Sequence, residues 1–195
     1  TTNQRWHSPF FCVLSMSLSK VPTPKNVAKE NPPLANLQFN VHFGKKKLDG
    51  VTKLFNDAKK RGCTTITLQE VPDANLAGFK EAAKTIKFDC HSHVETAGGT
   101  HNCHSFIAWS SSTFTKIHAG VDSLGFPYAQ LKHKKSKRIV LLLSFHVPGG
   151  KSFNSLKKGL KLFAKFKQSF NDLITSLKDC PPVTPWIFGD ANTHY

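Results

Sequence analysis

The chain alternates between short apolar runs that favour strands and longer runs with helical spacing. Between residues 34 and 41 the apolar side chains occupy alternate positions, which predicts a strand. Apolar residues then recur at helical spacing over residues 48–58, and Gly62 follows as a typical stop signal. Residues 64–68 (TTITL) are short and β-branched, which predicts a buried strand. A strand, a helix and a strand in succession indicate a crossover in a mixed α/β domain.

The rest of the chain continues this alternation. A second helix is predicted at residues 76–86, and a third, the clearest, at 152–177, where Phe and Leu residues share one face. The run 138–147 (RIVLLLSFHV) is the most apolar in the chain and predicts a central strand. A last strand is predicted from Trp186 to Asp190. Shorter β-like segments are predicted at residues 88–94, 103–109, 114–119 and 127–132.

The first 33 residues depart from the pattern. They sustain no period and contain four prolines, so we expect residues 1–33 to form a poorly ordered N-terminal arm. A chain of 195 residues is long enough for one domain with its own core. The sequence therefore predicts a single domain over residues 34–195.

The charge balance points to a polyanionic partner. Lys and Arg number 27 against 12 Asp and Glu, so the formal net charge is +15. Such an excess favours nucleic acid or an anionic membrane. We expect no membrane partner, because the apolar face of the third helix is needed for the core. Any one basic cluster can be ordinary solvated surface. The candidate nucleic-acid-binding residues are Lys45, Lys46, Lys47, Lys132, Lys134, Lys135, Lys137 and Arg138.

The five cysteines indicate the compartment. Their number is odd and their spacing wide, which favours free thiols in a reducing environment. Residues 10–18 (FFCVLSMSL) could pass for the apolar part of a secretory signal, but only Arg5 precedes them and no clear cleavage site follows. We therefore expect an intracellular protein, in the nucleus or in a cytoplasmic ribonucleoprotein particle.

A cluster of cysteines and histidines offers a zinc site as an alternative. Its spacing matches no common zinc finger, and strand alternation would send neighbouring side chains to opposite faces. Zinc is therefore the weaker hypothesis for this segment. The six residues are Cys90, His91, His93, His101, Cys103 and His104.

Polar side chains follow four apolar strands at the point where each strand ends. They are Asn40, Glu70, His146, Asp190 and Asn192. Loops converge over strand ends in α/β folds, so these side chains could share one cleft. Two carboxylates, two amides and an imidazole suit a divalent metal that acts on a phosphate ester. Taken singly, each residue is equally an ordinary turn residue or strand end.

The order of these motifs resembles a known family. Asn40, LQEV at 68–71, SFHVP at 144–148 and GDAN at 189–192 follow one another as in the endonuclease/exonuclease/phosphatase, or DNase I-like, superfamily. The ending GDANTHY is most similar to the apurinic-type endonucleases of non-LTR retrotransposons. The resemblance covers residues 34–195 and implies an α/β sandwich of two mixed sheets flanked by helices.

The resemblance also implies roles for the five residues. Glu70 would be a direct ligand of a catalytic Mg²⁺ (or Mn²⁺), and Asn40 would position the metal site or the phosphate. His146 would contact the scissile phosphate. Asp190 and Asn192 would orient the attacking water and stabilise charge on phosphorus. The implied activity is Mg²⁺-dependent nicking of nucleic acid, with DNA favoured over RNA as the substrate.

One departure from the family is serious. Family members continue past the GDxN motif to an Asp-His pair that supplies the general base, and no Ser-Asp-His triplet occurs in this sequence. The resemblance thus implies the N-terminal two-thirds of the domain, with a sandwich incomplete at its C-terminal end. A protein or ribonucleoprotein partner would cover the open sheet. The alternative to an endonuclease is a catalytically inactive, basic nucleic-acid-binding protein. A phosphomonoesterase or lipid phosphodiesterase is less favoured, because such substrates do not require the high positive charge.

Overall fold

Two four-stranded sheets packed face to face form the centre of the molecule. The structure, a computed structural model, describes residues 35–41, 48–94, 103–146, 153–177 and 183–190. The strands are β1 (Ala35–Asn40), β2 (Cys63–Pro72), β3 (Phe88–Val94), β4 (Cys103–Ser110), β5 (Phe114–Val121), β6 (Pro127–His133), β7 (Ile139–His146) and β8 (Val183–Asp190). The α-helices are α1 (Leu48–Lys60), α2 (Leu76–Thr85) and α3 (Phe153–Ser176), and a short 3₁₀ segment spans Asp73–Asn75.

In each sheet one pair of strands at an edge is parallel and the other two pairs are antiparallel. The first runs β1-β2-β4-β3, with β1 parallel to β2 and the other pairs antiparallel. The second runs β5-β6-β7-β8, with β7 parallel to β8 and the other pairs antiparallel. Helix α1 connects the first parallel pair and α3 the second, because parallel neighbours need a crossover. The predicted mixed α/β class is therefore confirmed.

The core has three layers of apolar side chains. Helices α1 and α2 cover one face of the first sheet, where the rings of Phe55, Phe79 and Phe106 meet edge to face at centroid distances of 6.3 to 6.4 Å. Helix α3 covers the outer face of the second sheet, where Phe145 and Phe166 stack at 4.8 Å. A third cluster lies between the sheets. The result is a helix–sheet–sheet–helix sandwich.

Strand β7 shows why its run of apolar residues is continuous. All eight of its residues are buried. Leu141, Leu143 and Phe145 face α3, whereas Val140 and Leu142 face the first sheet. A strand covered on both faces needs apolar side chains at every position, as the sequence predicted.

The predicted elements are all present in the described ranges, with shifted ends. Strand β2 continues to Pro72, four residues past the predicted end, because pairing with β4 resumes at Val71 after a register shift. Strand β8 begins at Val183, three residues before its predicted start, and includes Pro185. Proline is tolerated there because β8 is an edge strand among the described residues. The predicted arm at residues 1–33 lies outside the described residues.

The strand directions define two ends of the sandwich. Strands β1, β2, β7 and β8 all finish at one end, which we call the site end. The opposite end carries the starts of β2, β3 and β7 and the tight β4–β5 and β6–β7 turns. We call it the basic end, for the residues described below.

Candidate functional site

Two of the predicted catalytic residues, Asn40 and His146, meet the predicted metal ligand Glu70 at the site end. The Nδ2 of Asn40 donates a hydrogen bond of 3.1 Å to the Oε1 of Glu70. The Nε2 of His146 lies 3.2 Å from the same oxygen. The side chains of Glu70 and His146 are 15% and 8% exposed, so the carboxylate is partly shielded but can still be reached from outside. The two sheets together therefore form this cluster, which we call the Glu70 cluster.

Asp190 approaches the Glu70 cluster through its main chain. In the parallel pair of β7 and β8, Asp190 stands opposite His146 in register. Adjacent strands lie about 4.8 Å apart, so the fourth motif ends beside the third. The side chain of Asp190 and all of Asn192 lie outside the described residues.

A backbone irregularity turns the side chain of Glu70 towards Asn40 and His146. Simple alternation places Leu68 towards the helices and Gln69 towards the second sheet, and would return Glu70 to the helix side. Instead Glu70 adopts φ = 55°, in the left-handed region, and the register between β2 and β4 shifts between Leu68 and Val71. The shift allows Val71 to return to the helix-covered core while Glu70 reaches His146.

Buried polar side chains join the sheets directly beneath the cluster. The Nε2 of Gln69 donates a 2.9 Å hydrogen bond to the Oγ of Ser144, and both residues are fully buried. Gln38 on β1 likewise donates to the main-chain oxygen of Gly189 on β8. Neither Gln38 nor Ser144 belongs to the residues that the sequence motifs predict for the site. A polar residue inside an otherwise apolar strand, such as Ser144 within LLLSF, is the signal that could have found Ser144. Gln38 occupies an alternating polar position of β1 and carries no such signal.

Gly189 is required by the close approach of two strands. An added Cβ would lie 2.3 Å from the main-chain oxygen of Phe145 and 2.4 Å from its ring. Any other residue would force β8 away from β7 at the position that precedes Asp190. The glycine of the GDAN motif thus has a packing role that its sequence alone does not reveal.

The described donors fit a hard cation better than zinc. A cation such as Mg²⁺ prefers oxygen ligands, needs only one or two carboxylates and keeps several waters. Glu70 supplies a carboxylate, beside the amide of Asn40. Within the part of the chain that the structure describes, no group of three or more His, Cys, Asp or Glu side chains could hold a metal ion. His104 of the alternative zinc cluster is instead 2.9 Å from Asp73, and His101 lies outside the described residues.

The predicted nucleic-acid-binding residues that the structure describes are not at the Glu70 cluster. Lys132, Lys134, Lys135, Lys137 and Arg138 lie on the hairpin between β6 and β7, at the basic end. Eight residues of extended chain separate Arg138 from His146, which is about 26 Å. Lys45, Lys46 and Lys47 lie outside the described residues.

Comparison with known proteins identifies the fold. No protein-family model and no curated protein sequence matches the chain. The catalytic domain of human Nocturnin with bound sulfate matches at TM-score 0.63 and 12% identity, over 84% of this chain and 65% of that one. An endonuclease/exonuclease/phosphatase family protein of Bacteroides thetaiotaomicron matches at TM-score 0.57 and 13% identity, over 82% and 63%. This chain has the DNase I-like fold.

A further DNase I-like structure, zebrafish TDP2 complexed with a single-strand DNA product, matches at TM-score 0.57 and 14% identity. It is covered over 62% of its length, against 83% of this chain. The chain thus spans slightly less than two-thirds of the DNase I-like structures named here. No helix in the described ranges is long and apolar enough to cross a membrane.

Proposed function

We propose that this DNase I-like domain is a divalent-metal-dependent endonuclease that hydrolyses phosphodiester bonds of nucleic acid, with DNA as the preferred substrate. One observation carries the proposal. Asn40, Glu70 and His146, which are distant in sequence, meet within hydrogen-bond distance at the ends of β1, β2 and β7. The main chain of Asp190 stands opposite His146 in register.

Two further observations support the choice of substrate. The net charge of +15 suits a polyanion, since phosphate contacts dominate the affinity of proteins for nucleic acid. The zebrafish TDP2 structure with the same fold holds a single-strand DNA product. We extend that class of ligand to this chain as part of the proposal.

The proposed reaction is a hydrolysis in which all atoms balance. A water oxygen forms a bond to phosphorus, and the bond from phosphorus to the 3′ oxygen breaks. One proton of the water passes to that oxygen, which leaves as a 3′-hydroxyl, and a 5′-phosphate remains. The transition state carries extra negative charge on the phosphate oxygens, so hydrogen-bond donors and cations must offset it.

The Glu70 cluster supplies several of these functions. Asn40 holds the Glu70 carboxylate in one orientation through its amide. The imidazole of His146 lies on the same carboxylate oxygen, and we assign it the role of contacting the scissile phosphate. Asp190 and Asn192 would orient the water. A bound Mg²⁺ or Mn²⁺ held by Glu70 would polarise the phosphate when present.

The finer assignment rests on the sequence motifs. The ending GDANTHY supports a nicking endonuclease of the retrotransposon type, in the nucleus or in a ribonucleoprotein particle. The second candidate is a catalytically inactive nucleic-acid-binding protein. A specific observation favours it, because a large group of cations lies far from the Glu70 cluster.

The test is nicking of supercoiled plasmid in Mg²⁺ by the full chain. We expect the parent to nick and Glu70→Gln and Asp190→Ala to lose at least a hundredfold of the rate. The matched control is Glu81→Gln, the same change at an exposed carboxylate on α2, which should nick as the parent does. Equal nicking by the parent and Glu70→Gln would refute the proposal. Binding without nicking by the parent would favour the second candidate.

A further inference from the structure

Cationic side chains crowd the end of the sandwich that is opposite the Glu70 cluster. They come from the end of α1 and the residue after it, from the end of α2 and its turn into β3, and from the β6–β7 hairpin with the last residues of β6. Every one is exposed. Ser111 in the β4–β5 turn joins the latter two regions, because its main-chain nitrogen donates to the Lys87 oxygen at 3.2 Å and its oxygen accepts from the Lys134 Nζ at 2.7 Å. The basic end comprises Lys59, Lys60, Arg61, Lys84, Lys87, Lys132, Lys134, Lys135, Lys137 and Arg138.

These charges are not compensated within the described residues. The two ion pairs recorded there both join a histidine to a carboxylate, and neither includes a Lys or Arg. The carboxylates nearest in sequence, Asp57, Glu81 and Asp89, make no ion pair with the basic end. Like charges held together at one surface repel each other and attract a polyanion.

The hairpin at the centre of the basic end is held in one shape. His133 donates its main-chain N–H to Arg138 at 2.8 Å, and its buried ring accepts the main-chain N–H of Ser136 at 3.0 Å. The main-chain N–H of Lys134 is bound to the Thr113 oxygen at 2.9 Å. A preformed loop loses little conformational entropy when a ligand binds, which favours its use as a binding surface.

We propose that the basic end is a second nucleic-acid-binding surface, which holds the phosphate backbone away from the Glu70 cluster. An anionic membrane is the weaker partner, because interfacial binding also needs exposed apolar side chains. The exposed large apolar residues of the described ranges are Val94, Ile117, Val121 and Leu160, and none lies in the basic end. The inference relies on the proposed function only for the class of ligand.

The test measures binding without cleavage. The full chain is titrated into a fluorescent DNA duplex of about 20 base pairs in EDTA, at several salt concentrations. The test variant is Lys132→Gln with Lys135→Gln and Arg138→Gln. The control variant is Lys161→Gln with Lys165→Gln and Lys167→Gln, the same charge change on exposed positions of α3.

We expect the test variant to lose at least about tenfold in affinity at low salt and its log–log salt slope to fall by about 2 to 3, since each phosphate contact contributes about 0.9. The control variant should stay within about threefold of the parent. Equal losses in both variants, or binding of anionic vesicles but not of the duplex, would overturn the inference. Binding is measured in EDTA, without the divalent metal that cleavage would need, so a chain that never nicks still leaves this test intact.

The pKa of His133, in the β6–β7 hairpin, offers a way to locate the bound duplex. Burial, and then the charge of Lys135, lower the pKa of His133 below its ordinary value of 6.5. A phosphate beside Lys135 offsets that charge, so bound duplex should raise the His133 pKa, which NMR titration measures. A His133 pKa that stays the same at saturating duplex would contradict binding at the basic end.

Discussion

The Nε2 of His146 lies 3.2 Å from the Oε1 of Glu70, and the contact crosses from one sheet to the other. Glu70 belongs to β2 of the first sheet and His146 to β7 of the second. The Glu70 cluster therefore exists only when the two sheets are packed and in register. A change that disturbs the packing of the two sheets should therefore also reduce the proposed activity.

Asn40 is expected to act through Glu70. The change Asn40→Ala removes the 3.1 Å hydrogen bond to the carboxylate. A hydrogen bond to a charged group contributes about 1.5 to 3 kcal/mol, so nicking should fall roughly 10- to 100-fold. The melting temperature should change little, because Asn40 is only half-buried. Plasmid nicking and thermal unfolding measure the two effects, and full activity in this variant would refute the role.

Gly189 should be intolerant of a side chain. In Gly189→Ala the new Cβ would meet Phe145 at 2.3 Å, and we expect a loss of about 1 to 3 kcal/mol together with reduced nicking. Gly50→Ala is the matched control, since nothing lies within 4 Å of its Cβ and it sits in α1. The control should be about 0.5 to 1 kcal/mol more stable than the parent. Urea unfolding distinguishes them, and equal stability of the two variants would contradict the packing role.

Asp122 is expected to hold the β5–β6 turn against α3. Its Oδ1 accepts the main-chain N–H groups of Leu124 at 3.0 Å and Phe126 at 2.8 Å, and its Oδ2 accepts the Ser169 hydroxyl at 2.8 Å. Asp122→Ala would leave buried donors unpaired and should cost about 3 kcal/mol. Ser169→Ala removes only one of these bonds and should cost about 1 kcal/mol. Urea unfolding measures the loss of stability in each variant. A larger loss in Ser169→Ala than in Asp122→Ala would contradict the role given to Asp122.

Two histidines, the buried His133 and the half-buried His91, predict loss of stability in mild acid. The pKa of His91 is lowered mainly by burial, and that of His133 by burial and Lys135, from an ordinary value of 6.5. The unfolded chain therefore binds more protons than the folded one below about pH 6.5. The contribution of these two histidines to the free energy of unfolding should be constant above about pH 7 and fall as the pH drops through their folded pKa values.

A substitution isolates the contribution of one histidine. His133→Asn keeps an oxygen that can accept from Ser136 but cannot gain a proton in this range. Its unfolding free energy should fall less steeply between about pH 7 and 5 than that of the parent. Urea unfolding at several pH values measures the slope. An unchanged slope would show that His133 does not contribute.

The order of strands and helices followed from local periodicity. The continuous apolar run of β7 and the one-sided Phe and Leu pattern of α3 depend on neighbours a few residues away, so they can be seen in the chain itself. Asn40, Glu70 and His146 could also be found in the chain itself, because each is a polar residue that follows an apolar run. Strand ends are where loops and sites meet in such folds.

The alternation of apolar and polar residues predicts which side chains of a strand share a face, but not what covers that face. The polar positions of β1, including Asn36 and Gln38, would ordinarily face water. They instead hydrogen-bond Thr67 of β2 and Gly189 of β8. Which surface covers a strand face depends on packing between sheets, which no local pattern encodes.

The sequence by itself determined the elements, the α/β class and the residues from which the Glu70 cluster is built. Only the tertiary structure decided that the left-handed backbone turns Glu70 towards His146 and that the hairpin lysines lie at the opposite end of the sandwich from that cluster. The physical reason is the distance along the chain between the residues that interact. Periodicity and motifs arise from contacts between near neighbours in the chain, whereas the meeting of β2 with β7, and the separation of the two ends, arise from pairing and packing of distant segments.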